Sequence, residues 1–223
     1  RNSHHLETID PGMRTTGVMQ VSYFGVARDR AMDRIGRFSA VEQSAACWSS
    51  PLSGTFARIP ISVVNGRTAV LGSVSAATAG YFPLLAIPLL QGRTFTPEEE
   101  TAGSPVVVIG QSTATRLWPG RSPLGQAIVF GDQTKPVLIG NRPLPHEATV
   151  IGVVRDAATG VIVFGSARPA IYFPLSMQAP GSVVLVRVRG DEQRVKQALT
   201  ADLDRAVPGA VDEIHTLNEN IAG

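Results

Sequence analysis

The pattern that most constrains this chain is a strand–helix–strand unit at its start, which recurs near its end. Residues 18–21 form a predicted strand, and apolar side chains in 24–38 recur at the spacing of one helical face. Arg28 and the charged residues after it fall mostly on the other side of that helix. Residues 41–48 predict a second strand, closed by Ser-Ser-Pro. These elements make up one β-α-β unit.

The last part of the chain predicts the same unit. Residues 183–188 are β-branched, and the helical face that follows them ends at Pro208-Gly209. The residues of that face are Val195, Ala198, Leu199, Leu203 and Ala206. Residues 211–216 predict the closing strand, and a helix is expected to start at Leu217. One economical arrangement pairs the two ends in a single subdomain, from which the middle of the chain emerges as an insertion.

The middle of the chain is rich in predicted strands and turns. Asn65-Gly66 lies between two strand-like segments and is the strongest short hairpin signal in the sequence. Further strands are predicted over 106–109, 127–130, 137–139, 148–154 and 170–173. Thr96-Pro97-Glu98 has the order of an N-cap, a proline at the first helical position and an acid at the positive helix end. Together these elements predict an α+β fold.

Composition excludes several classes of protein. Of 223 residues, 43% are hydrophobic and 17% are charged, so the chain can bury a proper core. The net charge is +2 and the basic residues are scattered singly, so nucleic acid is not an expected partner. No stretch reaches the roughly 20 apolar residues that a membrane-spanning helix needs. The one cysteine, Cys47, is expected to be a small buried side chain in a strand.

One segment has the context of a catalytic serine. Ser112 lies between a β-branched strand and a short helix, but an alanine stands where a nucleophile elbow has its second glycine. A serine nucleophile needs a histidine base, and His146 and His215 are both available downstream. The alternative, which we favour, is that Ser112 caps the helix that ends near Trp118. On this interpretation the chain has no catalytic residue.

The remaining polar candidates do not form a ligand cluster. His4 and His5 are adjacent and lack a third ligand at usable spacing, so neither a metal nor a cofactor is expected. Three exposed-type side chains are candidates for contact with a partner protein: Arg93, Trp118 and Arg121. Arg93 has a competing structural role, since a Gly-Arg turn often holds its guanidinium against a carboxylate or a loop carbonyl.

An ordered set of sequence blocks resembles a known family. The blocks are YFPLLAIPLLQGRTF at 81–95, WPGRSPLG at 118–125, TVIGVVRD at 149–156, IYFPL at 171–175 and LVRV at 185–188. Their order and spacing resemble the MacB-like periplasmic core domain of FtsX/MacB-type ABC transporter permeases. The variants WPGRSPLG and VIGVVRDA look most like the second such domain of duplicated orphan permeases.

The resemblance implies a two-part architecture. Residues 14–80 and 176–223 would form a porter-like α+β subdomain from both chain ends, and 81–175 an inserted, β-rich, sabre-like subdomain. Residues 1–13 would be the entry from a preceding membrane helix. The domain would lie on the periplasmic side of the inner membrane and carry no ATPase residues, and the chain indeed has no phosphate-binding loop of the G-x-x-x-x-G-K-[ST] type.

The same resemblance implies a non-catalytic function and a set of partners. The domain would relay conformational change and contact partner proteins or substrate during export. Its partners would be its own transmembrane helices, a cytoplasmic ATPase subunit and a periplasmic adaptor protein, with the full-length permease as a homodimer. Two alternatives stay open at this point: a soluble serine hydrolase that uses Ser112, and a membrane-tethered sensor of a small ligand.

Overall fold

The computed structural model has the α+β fold predicted from the sequence. It describes residues 11–23, 28–52, 57–64, 66, 69–131, 138–139, 142–157 and 169–219. The strands are β1 (Val18–Tyr23), β2 (Val41–Cys47), β3 (Ala57–Val63), β4 (Ala69–Ala77), β5 (Leu89–Gly92), β6 (Val106–Gly110), β7 (Ala127–Phe130), β8 (Leu138–Ile139), β9 (Arg142–Pro143), β10 (Glu147–Val154), β11 (Ala170–Pro174), β12 (Val183–Val188) and β13 (Val211–Thr216). The helices are α1 (Arg28–Arg37), α2 (Tyr81–Leu84), α3 (Pro97–Ala102), α4 (Gln111–Leu117) and α5 (Glu192–Ala206).

The two ends of the chain share one antiparallel sheet, which we call the end sheet. Its strand order is β2-β12-β1-β13. Helices α1 and α5 pack together on one face, where an ion pair between Arg34 and Asp202 joins them. Apolar side chains from β1, β12 and the two helices fill the space between, among them Met19, Ile35 and Leu199, all fully buried. The pairing of the two ends, expected from their matching β-α-β patterns, is therefore present.

The middle strands close on themselves to form a six-stranded ring, which we call the barrel. Its order is β3-β4-β11-β6-β10-β7, and β7 pairs with β3 to close it. The β4–β11 and β6–β10 pairs are parallel, and the other four are antiparallel. Alternate side chains point inward, so Ile61, Ile109, Phe130 and Ile171 meet in a buried barrel core.

A third cluster, the joint core, lies between the barrel and the end sheet. Successive residues of β11 show how it is built: Ile171 belongs to the barrel core, and Tyr172 points outward into the joint core. Helix α2 supplies Tyr81 and Phe82, whose rings pack against Tyr172 with centroids 5.8 and 5.2 Å away. From the other side β12 contributes Leu185, which is fully buried. The two parts therefore share buried apolar surface.

The backbone also links the two parts, at the ends of β2 and β4. Cys47 and Ala77 are paired in antiparallel register. The Trp48 N–H donates to the Ala76 carbonyl at 2.8 Å, and the Thr78 N–H donates to the Ala46 carbonyl at 3.0 Å. Cys47 is fully buried here, as predicted, and burial raises the pKa of its thiol well above the ordinary value.

Two glycines explain why β5 and β10 approach so closely. A Cβ on Gly92 would lie 2.2 Å from the Ile151 carbonyl oxygen, and a Cβ on Gly152 would lie 2.2 Å from the Arg93 carbonyl oxygen. Gly92 also has a φ of 72°, a conformation that other residues rarely adopt. The glycines in the blocks GRTF and VIGVV are therefore required by the pairing of these two strands.

Most local predictions from the sequence are confirmed, and a few are corrected. The β3–β4 hairpin forms across the predicted turn, although Asn65 itself lies outside the described residues. Thr96 and Glu99 form the reciprocal bonds of a capping box at α3. Arg28, assigned to the polar side of α1, is instead 9% exposed. Residues 24–27 of the predicted first helix lie outside the described part of the chain, and strand β5 was not predicted.

Candidate functional site

The two ends of the described chain lie side by side. Strands β1 and β13 are antiparallel neighbours, with Met19 opposite Thr216. The Leu217 N–H donates to the Val18 carbonyl at 2.9 Å. The start of β1 therefore lies beside the end of β13 at the edge of the end sheet.

Helix α5 is bonded to both chain ends. The Gly17 N–H donates to the Glu192 carboxylate at 2.6 Å, and the Lys196 ammonium lies 3.0 Å from the Glu219 carboxylate. Glu219 also accepts the Thr216 N–H at 2.8 Å, while its own N–H donates to the Thr216 hydroxyl, which completes a capping box. The Thr216 N–H and then Lys196 lower the pKa of Glu219 to about 2. Residues 220–223, in which the helix expected from Leu217 would continue, lie outside the described part of the chain.

Two of the three predicted contact residues share a surface groove, which we call the α4–β5 groove. It has a volume of about 350 Å³, and its walls come from α4, from β5 and from the turn after α4. Arg121 lies exposed on its rim, and its guanidinium has no hydrogen-bond or ion-pair partner among the described residues. Leu90, on the opposite wall, is 43% exposed. The groove thus combines an unpaired cation with apolar surface.

Trp118 lines the α4–β5 groove but is mostly buried. Only 6% of it is exposed, and it packs against the barrel core from outside the ring. Its carbonyl accepts the Arg121 N–H at 3.1 Å, which fixes the turn that carries Arg121. Trp118 therefore anchors the groove and exposes little of its side chain there.

Arg93, the third predicted contact residue, is held by an acid. Its guanidinium donates to both oxygens of Glu99, at 2.8 and 2.7 Å, and to the Thr94 carbonyl at 3.0 Å. This fork-shaped pair lowers the pKa of Glu99, whose carboxylate also accepts the Thr96 N–H. Arg93 supports the capping box of α3, the structural role that a Gly-Arg turn commonly takes.

Ser112 is neither a nucleophile with a histidine base nor the N-cap of α4. The N-cap is Gly110, and Ser112 is the second residue of the helix. Its hydroxyl donates to Asp156 Oδ1 at 2.9 Å, and its N–H donates to both oxygens of that carboxylate at 3.1 and 3.0 Å. The cap expected from Ser112 is therefore wrong: Asp156, from outside the helix, satisfies the start of α4.

The position of Asp156 follows from the parallel pairing of β6 with β10. Because carboxyl ends of parallel strands lie at the same edge, α4, which follows β6, begins beside the residues that follow β10. A Cβ on Gly110 would lie 2.6 Å from Asp156 Oδ1, so the glycine makes room for the carboxylate. The sequence signal was present, as an acid two residues after a mostly buried strand, but its partner was not recognisable.

The two histidines proposed as bases have other surroundings. His215 Nε2 lies 2.6 Å from the Glu213 carboxylate, on β13 of the end sheet. The His146 carbonyl accepts the Phe130 N–H at 3.0 Å within the barrel. Neither is bonded to Ser112 among the described residues, so the described residues hold no serine–histidine pair.

A second depression, the joint cavity, lies where the barrel meets the end sheet. Its volume is about 340 Å³, and its walls include Trp48 from the end of β2, Phe173 from β11 and Leu144 from the segment before β10. The connector from β11 to β12 closes one side with Ala179 and Pro180. The sequence does not predict that these segments meet, because they are far apart along the chain.

Two further kinds of site are missing from the described residues. They contain no group of three or more His, Cys, Asp or Glu side chains that could hold a metal ion. No helix among them is long and apolar enough to cross a membrane. His4 and His5 lie outside the described part of the chain.

Comparison with known sequences agrees with the fold. The family model of the MacB-like periplasmic core domain matches residues 8–204. Over 158 residues the chain is 30% identical to the "Macrolide export ATP-binding/permease protein MacB 1" of Aeromonas hydrophila, covering 70% of this chain and 21% of that protein. It is 24% identical over 179 residues to the "Macrolide export ATP-binding/permease protein MacB" of Aggregatibacter actinomycetemcomitans, covering 80% of this chain and 24% of that protein. The chain thus spans about a quarter or less of these relatives.

Solved structures show the same fold. The periplasmic region of MacB from Actinobacillus actinomycetemcomitans superposes with a TM-score of 0.61 at 19% identity, covering 96% of this chain and 94% of that one. The extracellular domain of the noncanonic ABC-type transporter YknZ from Gram-positive bacteria gives 0.53 at 15% identity, covering 88% and 100%.

Proposed function

Since the chain belongs to the MacB-like periplasmic core domain family, the non-catalytic periplasmic domains of inner-membrane ABC transporter permeases, we propose that it relays conformational change during export. In this role it transmits the movement of membrane helices to partner proteins or substrate. The relay needs a stiff body that is attached covalently at two neighbouring points.

The observation that carries the proposal is the position of the two chain ends. They lie on adjacent antiparallel strands, and α5 is bonded to both of them. Two membrane helices that continue from these points would act on the same edge of the end sheet. The entry side also reaches the joint, because the Arg14 N–H donates to the Leu85 carbonyl at 2.7 Å and Met13 is buried in the joint core. Movement at the ends would thus reach the barrel through packed contacts.

We propose that the molecule works as two parts. The end sheet with α1 and α5 is the porter-like part, formed from both chain ends, and the barrel with its attached strands is the inserted, sabre-like part. Strands β3 and β4 pair within the barrel, so we move them from the porter-like to the inserted part. The inserted part would then begin near Ala57 and continue to Leu175.

We propose the α4–β5 groove as the contact surface for a partner protein. Arg121 supplies an unpaired cation and Leu90 an exposed apolar side chain, on walls that Trp118 holds in place. Arg93, whose side chain is about half exposed although it pairs with Glu99, directly follows β5, and β5 lines the groove. By analogy with the relatives, whose names combine ATP-binding and permease functions, the partners would be an ATPase in the cytoplasm, a periplasmic adaptor and a second copy of the permease. The variants WPGRSPLG and VIGVVRDA support a place as the second of two such domains.

The relay can be tested in the full-length parent protein in native membranes. Arg121→Cys provides a reporter on the barrel, and its labelling rate by a membrane-impermeant maleimide is measured with and without ATP hydrolysis. A four-residue Gly-Ser insertion after Glu219 should abolish the ATP-dependent change in labelling, because it uncouples the end sheet from the following segment. The same insertion after Gly190, an open turn before α5, is the matched control and should preserve it. If the reporter variant without an insertion is labelled at the same rate with and without ATP hydrolysis, the relay is refuted.

A further inference from the structure

The joint cavity has the chemistry of a ligand site. Among the described residues that line it none is charged, and Trp48 and Ser104 carry the polar side-chain atoms. Neither the Trp48 indole N–H nor the Ser104 hydroxyl has a hydrogen-bond partner among the described residues. Phe173 and Leu144 supply apolar surface, so the lining of the cavity is mainly apolar and carries no charge.

The walls of this cavity are held in place by the surrounding structure. Buried Arg28 donates to the Met177 carbonyl at 3.1 and 2.8 Å, and to the Ser182 carbonyl and hydroxyl at 2.8 and 2.7 Å. These bonds fasten the connector between β11 and β12, which forms one wall. A Cβ on Gly181 would lie 3.3 Å from Trp48 Cη2, so the connector packs closely against the indole ring. The cavity is therefore pre-formed, which lowers the entropic cost of binding.

From the uncharged, pre-formed and mainly apolar lining that includes the rings of Trp48 and Phe173, we propose that the joint cavity binds a small, neutral, mainly apolar ring compound. A volume of about 340 Å³ holds a compound of two or three fused or linked rings. The rings would lie against Trp48 and Phe173, and an acceptor atom would face the indole N–H. A charged compound is disfavoured, because the lining offers no counter-charge for a desolvated ion.

The ligand would contact both parts of the molecule at once. Trp48 belongs to the end sheet, whereas Phe173 and Leu144 belong to the barrel side. Binding would therefore fix the position of the barrel relative to the end sheet. The site stands independently of the proposed relay, since it rests on the cavity alone, but a ligand there would stiffen the joint.

The test uses two probes with the same ring system. N-phenyl-1-naphthylamine is neutral, and 8-anilinonaphthalene-1-sulfonate adds one negative charge. In the 223-residue chain Trp118→Phe leaves Trp48 as the one tryptophan, because the sequence contains two. We expect saturable energy transfer from Trp48 to the neutral probe at one site, and binding of the sulfonate at least about tenfold weaker. Equal binding of both probes would overturn the proposed charge selectivity, and energy transfer that rises without saturation would overturn the site.

Two variants locate the probe. Ala179→Phe fills the cavity from the connector, and Leu144→Arg introduces a charge from the opposite wall. Each should weaken the neutral probe at least about tenfold, with the fold checked by circular dichroism. Thr115→Phe, in the α4–β5 groove, is the matched control and should leave binding unchanged. The assignment would be overturned if a folded cavity variant still binds the neutral probe as the unmodified chain does. It would also be overturned if Thr115→Phe loses that binding.

Discussion

The end sheet and the barrel bury their apolar side chains in two different ways. The end sheet covers one face with α1 and α5, which come from the β-α-β units at the two ends of the chain. The barrel instead closes on itself, so its core is enclosed by its own strands. Each strand of the closed ring is paired on both sides, whereas the end sheet is open at β13. In the relay proposed above, we therefore assign the rigid arm to the barrel and the attachment to the end sheet.

The connection between these two regions decides whether they move together. Backbone pairing between them, within the described residues, is confined to the ends of β2 and β4. Most of the contact comes from side chains of the joint core, with the rings of Tyr81, Phe82 and Tyr172 at its centre. If the joint core holds the parts together, loss of one of these rings should separate them.

Phe82→Ala should have the largest effect. Phe82 is 1% exposed and packs edge-on against Tyr172, so its loss should lower the free energy of unfolding by about 3–5 kcal/mol. It should also split unfolding into two steps, because the barrel and the end sheet keep their own cores. Hydrogen exchange of the amides in β12 and in β6 would show this as two different opening free energies.

Phe130→Ala is the matched control for Phe82→Ala. Phe130 is 2% exposed inside the barrel core, so the expected loss of stability is similar. Because the joint core stays intact, amides in β12 and β6 should lose protection together. A single shared step in Phe82→Ala would show that the joint core does not couple the two parts.

Arg28→Met should have the next largest effect. It removes four hydrogen bonds from a buried guanidinium and leaves the Met177 and Ser182 carbonyls without that donor. We expect a loss of about 2–3 kcal/mol in the free energy of unfolding, together with faster hydrogen exchange in the connector. Arg30→Met, on the exposed side of the same helix, should change stability by less than about 0.5 kcal/mol. Equal effects of the two variants would show that the connector is held by other contacts.

The sequence predicted the end sheet better than the barrel for a physical reason. The β-α-β units are local patterns, with a helical period between two strands, so the strands at 183–188 and 211–216 and the helical face from Val195 to Ala206 were recognisable. Closure of the ring depends on pairs far apart in sequence, such as β4 with β11, which no local pattern records. The strands themselves were mostly predicted, and the pairing of β3 and β4 within the ring, on which we base the revised boundary of the proposed parts, is visible only in the structure.

The features that local patterns missed all depend on tertiary contacts. Strand β5 carries Leu89 and Leu90, each 43% exposed, so it lacks the alternation that marks a half-buried strand. Arg28 lies on the charged side of its helix by spacing, yet the connector covers it. Asp156 was visible as an acid after a strand, but only parallel pairing of β6 with β10 brings it to Ser112.

Asp156→Ala tests the bonds that hold α4 against the barrel, and we expect a smaller effect on stability than for Arg28→Met. The change removes the acceptor for the Ser112 hydroxyl and N–H, so we expect a loss of about 1–2 kcal/mol in the free energy of unfolding. Ser112→Ala keeps the bond from the N–H and should cost less, up to about 1 kcal/mol. Asp212→Ala, exposed on β13, is the control, measured with the others by urea denaturation. A larger loss from Ser112→Ala than from Asp156→Ala would contradict the external cap.

Glu219→Gln tests how the chain is secured after β13 of the end sheet, and we expect it to have the smallest effect on stability. The folded-state pKa of Glu219 is about 2, below its ordinary value, so the folded state favours the charged form. The stability that this carboxylate contributes is therefore complete above its ordinary pKa and is lost as the pH falls toward about 2. Because the side chain is 38% exposed, we expect the contribution to be small and to shrink at high salt.

Urea denaturation between pH 7 and pH 2 measures this contribution. The free energy of unfolding should decline less steeply with falling pH in Glu219→Gln than in the unmodified chain. The control Glu147→Gln, exposed on β10, should follow the unmodified chain. Parallel declines in all three proteins would show that the capping box at Thr216 does not secure the chain end to the end sheet, and the relay would then lack its attachment at that point.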